Sequence, residues 1–156
     1  KSIVDAATSD ALIVLRSFGK FYGMAGVRLG FAITHPDIAA DLESRLGPWA
    51  VSGPALHIAT EALGDRPWAE AMRTRLNACS ERLERLLRHK GLAIAGGTSL
   101  FTLIRDESAP ALHDHLMQHG ILTRIFEERP ADLRLGLPAN ETDWARLEAA
   151  LSAFNP

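Results

Sequence analysis

The chain has 156 residues with 17 basic and 19 acidic side chains, which gives a formal net charge of −2. Hydrophobic residues make up 47% and charged residues 23%, as in a globular chain with a core, and this argues against disorder. The near-neutral charge argues against binding to a nucleic-acid backbone. The single cysteine, Cys79, excludes an internal disulfide framework and a cysteine-built zinc site.

The apolar runs of the sequence, such as residues 11–15, are far shorter than a membrane span requires. A charged-then-apolar leader is not seen, so we expect a cytoplasmic protein. The first residue is Lys1 and not methionine, so we also expect this chain to be a piece of a longer protein.

The first third of the sequence predicts two strands and two helices. Residues 11–16 and 29–33 are short apolar runs that predict buried strands, and a glycine-rich segment separates them. A helix is expected from residue 34 to Leu46, and Ser52 is a candidate cap for a second helix that ends before Gly64.

The remaining sequence predicts a mixture of helices and strands. A long helix over 67–90 carries one apolar stripe that includes Trp68 and Cys79. Strands are then expected at 92–95 and 100–104 with Gly96 and Gly97 between them, a helix at 110–119, strands at 121–125 and 132–137, and a last helix capped by Asn140 that contains Trp144. This order predicts an α/β or α+β chain.

The segment from Ser17 to Lys20 holds the densest set of reactive residue types, and two interpretations of it fail. A phosphate loop would need a hydroxyl residue after the lysine and a glycine six residues before it, where Phe21 and Val14 stand. A Ser-x-x-Lys nucleophile of the penicillin-binding kind would need partner motifs that the sequence lacks.

A third interpretation makes Lys20 a lysine that forms a Schiff base with a carbonyl. At the edge of a buried strand an amine loses water, which favours its neutral, nucleophilic form. Ser17 and Arg28 could both reach one phosphate, while Gly23 and Gly26 would let the backbone approach a cofactor. The alternative is a surface turn with a solvated lysine and an arginine paired to a carboxylate.

The run from Ser17 to Gly30 resembles the pyridoxal-phosphate lysine signature of the class I/II aminotransferases of fold type I, and residues 48–63 are similar to that family's linker. The resemblance implies that Lys20 binds pyridoxal 5′-phosphate covalently and that Ser17 and Arg28 bind its phosphate. It also implies the C-terminal half of a homodimeric enzyme. The expected parts are large-domain strands over 1–34, connecting helices over 35–64 and a small domain over 65–156.

A second candidate site is Arg134, in the alternating run from Leu133 to Leu137. Strand periodicity places Arg134 on the face opposite the leucines, where it is either a solvated edge residue or an anion clamp. The resemblance implies that Arg134 binds the α-carboxylate of the substrate. It implies a further anion-binding role for Arg124, for which Arg129 is a competitor.

Within the family, the motifs at 17–31, 96–101 and 132–138 most resemble those of members that act on a small phosphorylated amino acid. This resemblance implies decarboxylation of L-threonine O-3-phosphate to aminopropanol phosphate in cobalamin biosynthesis. One alternative is an aminotransferase of the histidinol-phosphate type. The other is a non-catalytic α+β interaction module or remnant. We expect no nucleic-acid, membrane or metal partner, and we expect His113, His115 and His119 to be solvated helix residues.

Overall fold

The computed structural model describes residues 3–4 and 12–155. The chain divides into two compact units, Lys1–Pro67 and Trp68–Pro156. The predicted strand start at Ala11 lies outside the described residues. The three-part division expected from the family resemblance stays a prediction.

The first unit contains a two-stranded antiparallel sheet and two helices. Its strands are β1 (Val14–Ser17) and β2 (Gly30–Ile33), and its helices are α1 (Pro36–Leu46) and α2 (Gly53–Gly64). Each helix begins at a side chain that accepts a backbone hydrogen bond: His35 from the N–H of Asp37, and Ser52 from the N–H of Ala55. The predicted cap at Ser52 is therefore confirmed.

The prediction that the first two strands are buried is wrong for the structure described. Leu15 is 78% exposed and Phe31 is 38% exposed. Each strand has one neighbour only, and the described residues do not cover this strand pair with a further layer. An apolar strand pattern indicates a sheet suited to burial, but burial itself depends on another element packing against it.

The second unit is a four-stranded antiparallel sheet packed against helices, in the strand order β3-β4-β6-β5. Its elements are α3 (Arg66–His89, of which the first two residues belong to the first unit), β3 (Ile94–Thr98), β4 (Phe101–Arg105), α4 (Ala109–Gln118), β5 (Arg124–Ile125), β6 (Asp132–Gly136) and α5 (Glu141–Ala153).

One face of this sheet forms the core of the unit with the three helices. Alternate residues of β4 and β6 point into it because successive side chains of a strand face opposite sides. The fully buried members include Ile104, Leu133 and Leu135 from the sheet, and Leu83, Leu87, Leu112, Leu116, Trp144, Leu147 and Leu151 from the helices. Among the described helices, none combines the length and apolar content that a bilayer crossing requires.

The glycine pair between the predicted third and fourth strands is not a turn. Gly96 and Gly97 lie inside β3, and the turn to β4 is made by Ser99 and Leu100. A Cβ at Gly97 would lie 2.9 Å from the carbonyl oxygen of Phe101, so the close approach of β4 requires glycine there. A register shift between Ile94 and Gly96 marks a bulge in the same strand.

Three further expectations are corrected by the packing of the second unit. His113 and His115 are half-buried, because the Nδ1 of His113 lies 2.6 Å from the hydroxyl of Thr123 and the Nε2 of His115 lies 2.9 Å from the carbonyl oxygen of Ala150. These histidines tie α4 to its neighbours and are not simply solvated. Trp144 is 3% exposed as expected, whereas Trp68, at the start of α3, is 37% exposed.

Candidate functional site

The lysine loop, residues 18–29, closes the hairpin of the first unit. The ladder of β1 and β2 extends one step beyond Ser17, since the N–H of Phe18 donates to the carbonyl of Leu29 at 3.3 Å. Phe18 is 1% exposed, and its ring stacks on that of Tyr22 at a centroid distance of 4.6 Å. One buried aromatic ring therefore anchors the loop beside Lys20.

Glycines shape this loop, although not all in the way the sequence suggested. Gly23 has a φ of +68°, a conformation that favours glycine. A Cβ at Gly26 would meet nothing within 4 Å, so no close contact among the described residues requires glycine there. At Gly19 a Cβ would lie 2.9 Å from the Cα of Ala25, so two parts of the loop pass close to one another there.

Arg28 has an unusual backbone. It follows a short 3-10 turn, Ala25–Val27, and has φ 58° and ψ 44°, the left-handed region. A non-glycine residue there costs about 1–2 kcal/mol, and such residues cluster at functional sites. One Nη1–H of Arg28 donates to the carbonyl of Ala25 at 3.3 Å, and the remaining donors of this exposed guanidinium are available.

Ser17, Lys20 and Arg28 are brought to the same end of the hairpin, since Arg28 lies two residues before Gly30, the register partner of Ser17. All three are exposed, and neither the Ser17 hydroxyl nor the Lys20 amine bonds to a described residue. A hydroxyl, an amine and a guanidinium without a competing carboxylate fit a pyridoxal phosphate. The expected desolvation of Lys20 is not found in this chain, because the described residues leave it exposed.

The second candidate site is the outward face of the sheet in the second unit. Arg134 is half-buried on β6, whereas its neighbours Leu133 and Leu135 are buried in the core, so the predicted strand parity is confirmed. Arg124 on β5 is the direct register partner of Arg134. Directly paired residues of antiparallel strands share a face, so the two guanidinium groups rise from neighbouring points.

The two facing arginines have no carboxylate partner among the described residues. Instead, the Cζ of Arg134 lies 4.4 Å from the ring centroid of Phe101, and that of Arg124 lies 5.8 Å from the centroid of Phe126. Like charges directly opposite one another on a sheet are destabilising. An anion that binds both guanidinium groups would remove this repulsion, so the arrangement suits an anionic ligand.

Arg129, the competitor of Arg124, is already paired. Its Nη1 lies 3.2 Å from the Oδ2 of Asp132, and Asp132 also accepts hydrogen bonds from Nε and Nη2 of Arg105, at 2.6 and 3.0 Å. The side chain of Asp132 is 1% exposed, and its bond to Arg105 holds the pKa of the carboxyl below its usual range. This cluster was missed from the sequence, because strand pairing brings Arg105 to Asp132 across 27 positions.

Metal ligands do not cluster in the part of the chain that the structure describes: no group of three or more His, Cys, Asp and Glu there could hold an ion. The candidate groups of both units are instead cations and hydroxyls. Groups of these types on an α/β chain suit the binding of an anionic cofactor and an anionic substrate.

Comparison with known proteins assigns the family. Residues 1–154 match the family described as "Aminotransferase class I and II", and the chain belongs to that family. Its members are pyridoxal-phosphate-dependent enzymes, and pyridoxal 5′-phosphate is their cofactor. The fold class and the family predicted from the sequence are therefore confirmed.

Two curated relatives show the range within the family. The threonine-phosphate decarboxylase of Pseudomonas aeruginosa is 53% identical over 153 residues, which cover 98% of this chain and 46% of that protein. Histidinol-phosphate aminotransferase 1 of Nitrosococcus oceani is 32% identical over 115 residues, which cover 72% of this chain and 31% of that protein. The chain spans less than half the length of these relatives.

Solved structures agree with the fold. The histidinol-phosphate aminotransferase of Clostridium acetobutylicum superposes with a TM-score of 0.85 at 24% identity, covering 97% of this chain and 48% of that one. The histidinol-phosphate aminotransferase of Sinorhizobium meliloti was solved in complex with pyridoxal-5′-phosphate. It superposes with a TM-score of 0.79 at 27% identity, covering 91% of this chain and 40% of that one.

Proposed function

We propose that this chain is part of a lyase that decarboxylates L-threonine O-3-phosphate to aminopropanol phosphate. The observation that carries the proposal is the 53% identity to a threonine-phosphate decarboxylase over 98% of the chain. The facing, unneutralised pair of Arg124 and Arg134 supports it, because this substrate has a carboxylate and a phosphate.

In this proposal Ser17 and Arg28 bind the cofactor phosphate, Arg28 through its guanidinium donors and Ser17 through its hydroxyl. Lys20 would hold the cofactor through its amine, and the same amine is the group of the loop that would move a proton at the α-carbon of the substrate. When bound, pyridoxal phosphate supplies an electron sink for the bond that breaks at the α-carbon of the substrate.

Arg134 binds the α-carboxylate, and Arg124 binds the second anionic end. By binding the carboxylate, Arg134 would fix the orientation of that group and, through it, of the bonds at the α-carbon of the substrate. A guanidinium suits this role because its planar donors bind a carboxylate in two places at once.

The second candidate is an aminotransferase of the histidinol-phosphate type, favoured by the 32% identity to such an enzyme. The residues proposed above serve either reaction, since both begin at the same carbon. We further propose that the complete enzyme is a cytoplasmic homodimer that acts in cobalamin biosynthesis, which the relation to the decarboxylase supports.

The deciding experiment supplies the full-length enzyme with L-threonine O-3-phosphate, with and without 2-oxoglutarate, and measures carbon dioxide, aminopropanol phosphate and glutamate. We expect carbon dioxide and aminopropanol phosphate in equal amounts without 2-oxoglutarate. Glutamate formation that depends on 2-oxoglutarate, without release of carbon dioxide, would instead establish the aminotransferase. A lack of any reaction of L-threonine O-3-phosphate, with or without 2-oxoglutarate, would contradict the proposed decarboxylation.

A further inference from the structure

Arg134 is held by an aromatic ring and not by a carboxylate. Its Cζ lies 4.4 Å from the ring centroid of Phe101, whereas Arg105 and Arg129 on the same unit both pair with Asp132. A carboxylate partner occupies the N–H donors of a guanidinium. A ring beneath the guanidinium plane attracts the charge and leaves the donors at the edge free.

The strand register explains how the ring reaches this position. In the β4–β6 ladder, Phe101 stands opposite Gly136, and Leu103 stands opposite Arg134. Gly136 has no side chain to occupy the space beside the ring, so Phe101 can lie along the sheet towards its diagonal neighbour Arg134. Diagonal pairs on one face of a sheet are within reach of aromatic and long side chains.

A holding contact matters here because Arg134 faces a second cation. Arg124, its direct partner on β5, repels it, and a long side chain loses conformational entropy when it is fixed in one geometry. Both effects disfavour a single fixed position of the Arg134 guanidinium. The stacking contact with Phe101 opposes them without neutralising the charge.

We propose that Phe101 is a positioning residue, whose ring fixes the guanidinium plane of Arg134 so that its donor edge stays available to the substrate carboxylate. This inference rests on the carboxylate role proposed for Arg134. If Phe101 holds Arg134 in this way, position 101 requires an aromatic ring. If Phe101 only filled space in the sheet, another apolar side chain such as leucine would serve equally well.

The test measures ligand binding by calorimetry to the full-length holoenzyme and to its Phe101→Leu and Phe101→Tyr variants. Two probes lack the amine and so cannot bond to the cofactor: 3-phosphonooxybutanoate has a carboxylate, and isopropyl phosphate has none. We expect Phe101→Leu to weaken the binding of 3-phosphonooxybutanoate by about threefold to tenfold, which is the size of effect expected from the loss of a cation–π contact. Binding of isopropyl phosphate should not change, and Phe101→Tyr should stay within about twofold of the wild type.

A matched control is Phe154→Leu, the same substitution at a half-buried ring that packs against the core. It controls for a general loss of packing and should leave both affinities unchanged. Unchanged binding of 3-phosphonooxybutanoate in Phe101→Leu, or an equal loss for both probes, would overturn the positioning role.

An Arg134→Ala arm separates this inference from the proposed function. If Arg134→Ala binds 3-phosphonooxybutanoate as the wild type does, the carboxylate role of Arg134 fails, and the role of Phe101 fails with it. If Arg134→Ala loses affinity while Phe101→Leu does not, only the role of Phe101 is overturned. Adding Phe101→Leu to Arg134→Ala should cause no further loss, because the ring acts through the arginine.

Discussion

The two units hold their cationic groups in different ways. In the first unit, Lys20 and Arg28 stand on a glycine-shaped loop whose main packing contact is the buried ring of Phe18. In the second, Arg124 and Arg134 stand on paired strands whose other face is a closed core of leucines. The position of the cationic side chains therefore depends on backbone conformation in the first unit and on strand register in the second.

This difference determines which changes each site tolerates. A loop that relies on the positive φ of Gly23 and Arg28 is sensitive to substitutions that alter local backbone preference. A sheet face is insensitive to such changes but is lost when its core is disturbed, because register and core packing are coupled. The predictions below test this contrast.

The largest effect is expected at Lys20. Lys20→Ala in the full-length enzyme should abolish turnover, because no other group of the loop supplies the amine, and it should leave the fold intact because Lys20 is exposed. Circular dichroism and a turnover assay measure the two effects. Lys90→Ala, at an amine that bonds to the Ser152 hydroxyl, is the control and should remain active.

Borohydride reduction followed by peptide mapping gives an independent measurement. The pyridoxyl group should be found on Lys20. Its presence on Lys1 or Lys90 would contradict the assignment.

The next largest effect contrasts the two sheets. Leu133→Ala should lower the free energy of unfolding by about 2–5 kcal/mol, since Leu133 is fully buried. Leu15→Ala, at a leucine that is 78% exposed, should change it by less than about 0.5 kcal/mol in the 156-residue chain. Urea unfolding monitored by circular dichroism measures both, and equal losses would show that β1 is as well covered as β6.

At the substrate site, Arg134→Ala should lower kcat/KM for L-threonine O-3-phosphate by a factor that corresponds to about 2–4 kcal/mol, because it leaves the carboxylate without its charged partner. Arg134→Lys should also lose activity, because a lysine cannot bind the carboxylate in two places. The visible spectrum of the cofactor bound to Lys20 should stay unchanged. Arg105→Lys, at an arginine already paired with Asp132, is the matched comparison. Full activity of Arg134→Lys would transfer the carboxylate role to Arg124 or Arg129.

At the cofactor phosphate, Arg28→Ala should weaken cofactor binding by about 10- to 100-fold, and Ser17→Ala by about tenfold or less, because a charged hydrogen bond is the stronger one. Arg28→Gly should lose as much affinity for the cofactor as Arg28→Ala. It should unfold at a higher temperature than Arg28→Ala, since glycine adopts the φ of 58° without strain. Equilibrium dialysis and thermal unfolding measure these effects. Equal affinity of wild type and Arg28→Ala would exclude the phosphate role.

The sequence predicted those features that depend on local pattern. The cap at Ser52 and the strand parity of Arg134 follow from spacing along one element, and the structure confirms them. The apolar stripe of α3 is confirmed around Leu83, which is buried, but not at Trp68. The exposure of Leu15 and the half-burial of His113 were not predictable, because both depend on which other element packs there.

The glycines illustrate the same limit at a finer scale. The sequence pattern places Gly96 and Gly97 between two strands, but both lie inside β3, and the constraint at Gly97 is the nearness of the Phe101 carbonyl across the ladder. The Phe101–Arg134 contact also depends on strand register. Sequence spacing therefore identified the arginine but gave no indication of the residue that holds it.

The smallest expected effect is a pH dependence of stability that arises at Asp132. Its pKa is lowered in the folded state, chiefly by the hydrogen bond from Arg105, so its contribution to stability is fully present above the unfolded pKa of about 3.9. The contribution is lost as the pH falls through the lower folded-state pKa. We therefore expect the free energy of unfolding to decrease between about pH 5 and pH 3, and Asp132→Asn to flatten this decrease.

Asp114→Asn, at an exposed carboxylate of α4 without a hydrogen bond to the described residues, is the control and should keep the wild-type slope. A slope in Asp132→Asn equal to that of the wild type would show that the arginine pair on Asp132 does not stabilise the charged form. The anchoring of Arg105 and Arg129 would then need another explanation, and Arg129 would again compete with Arg124 for the substrate.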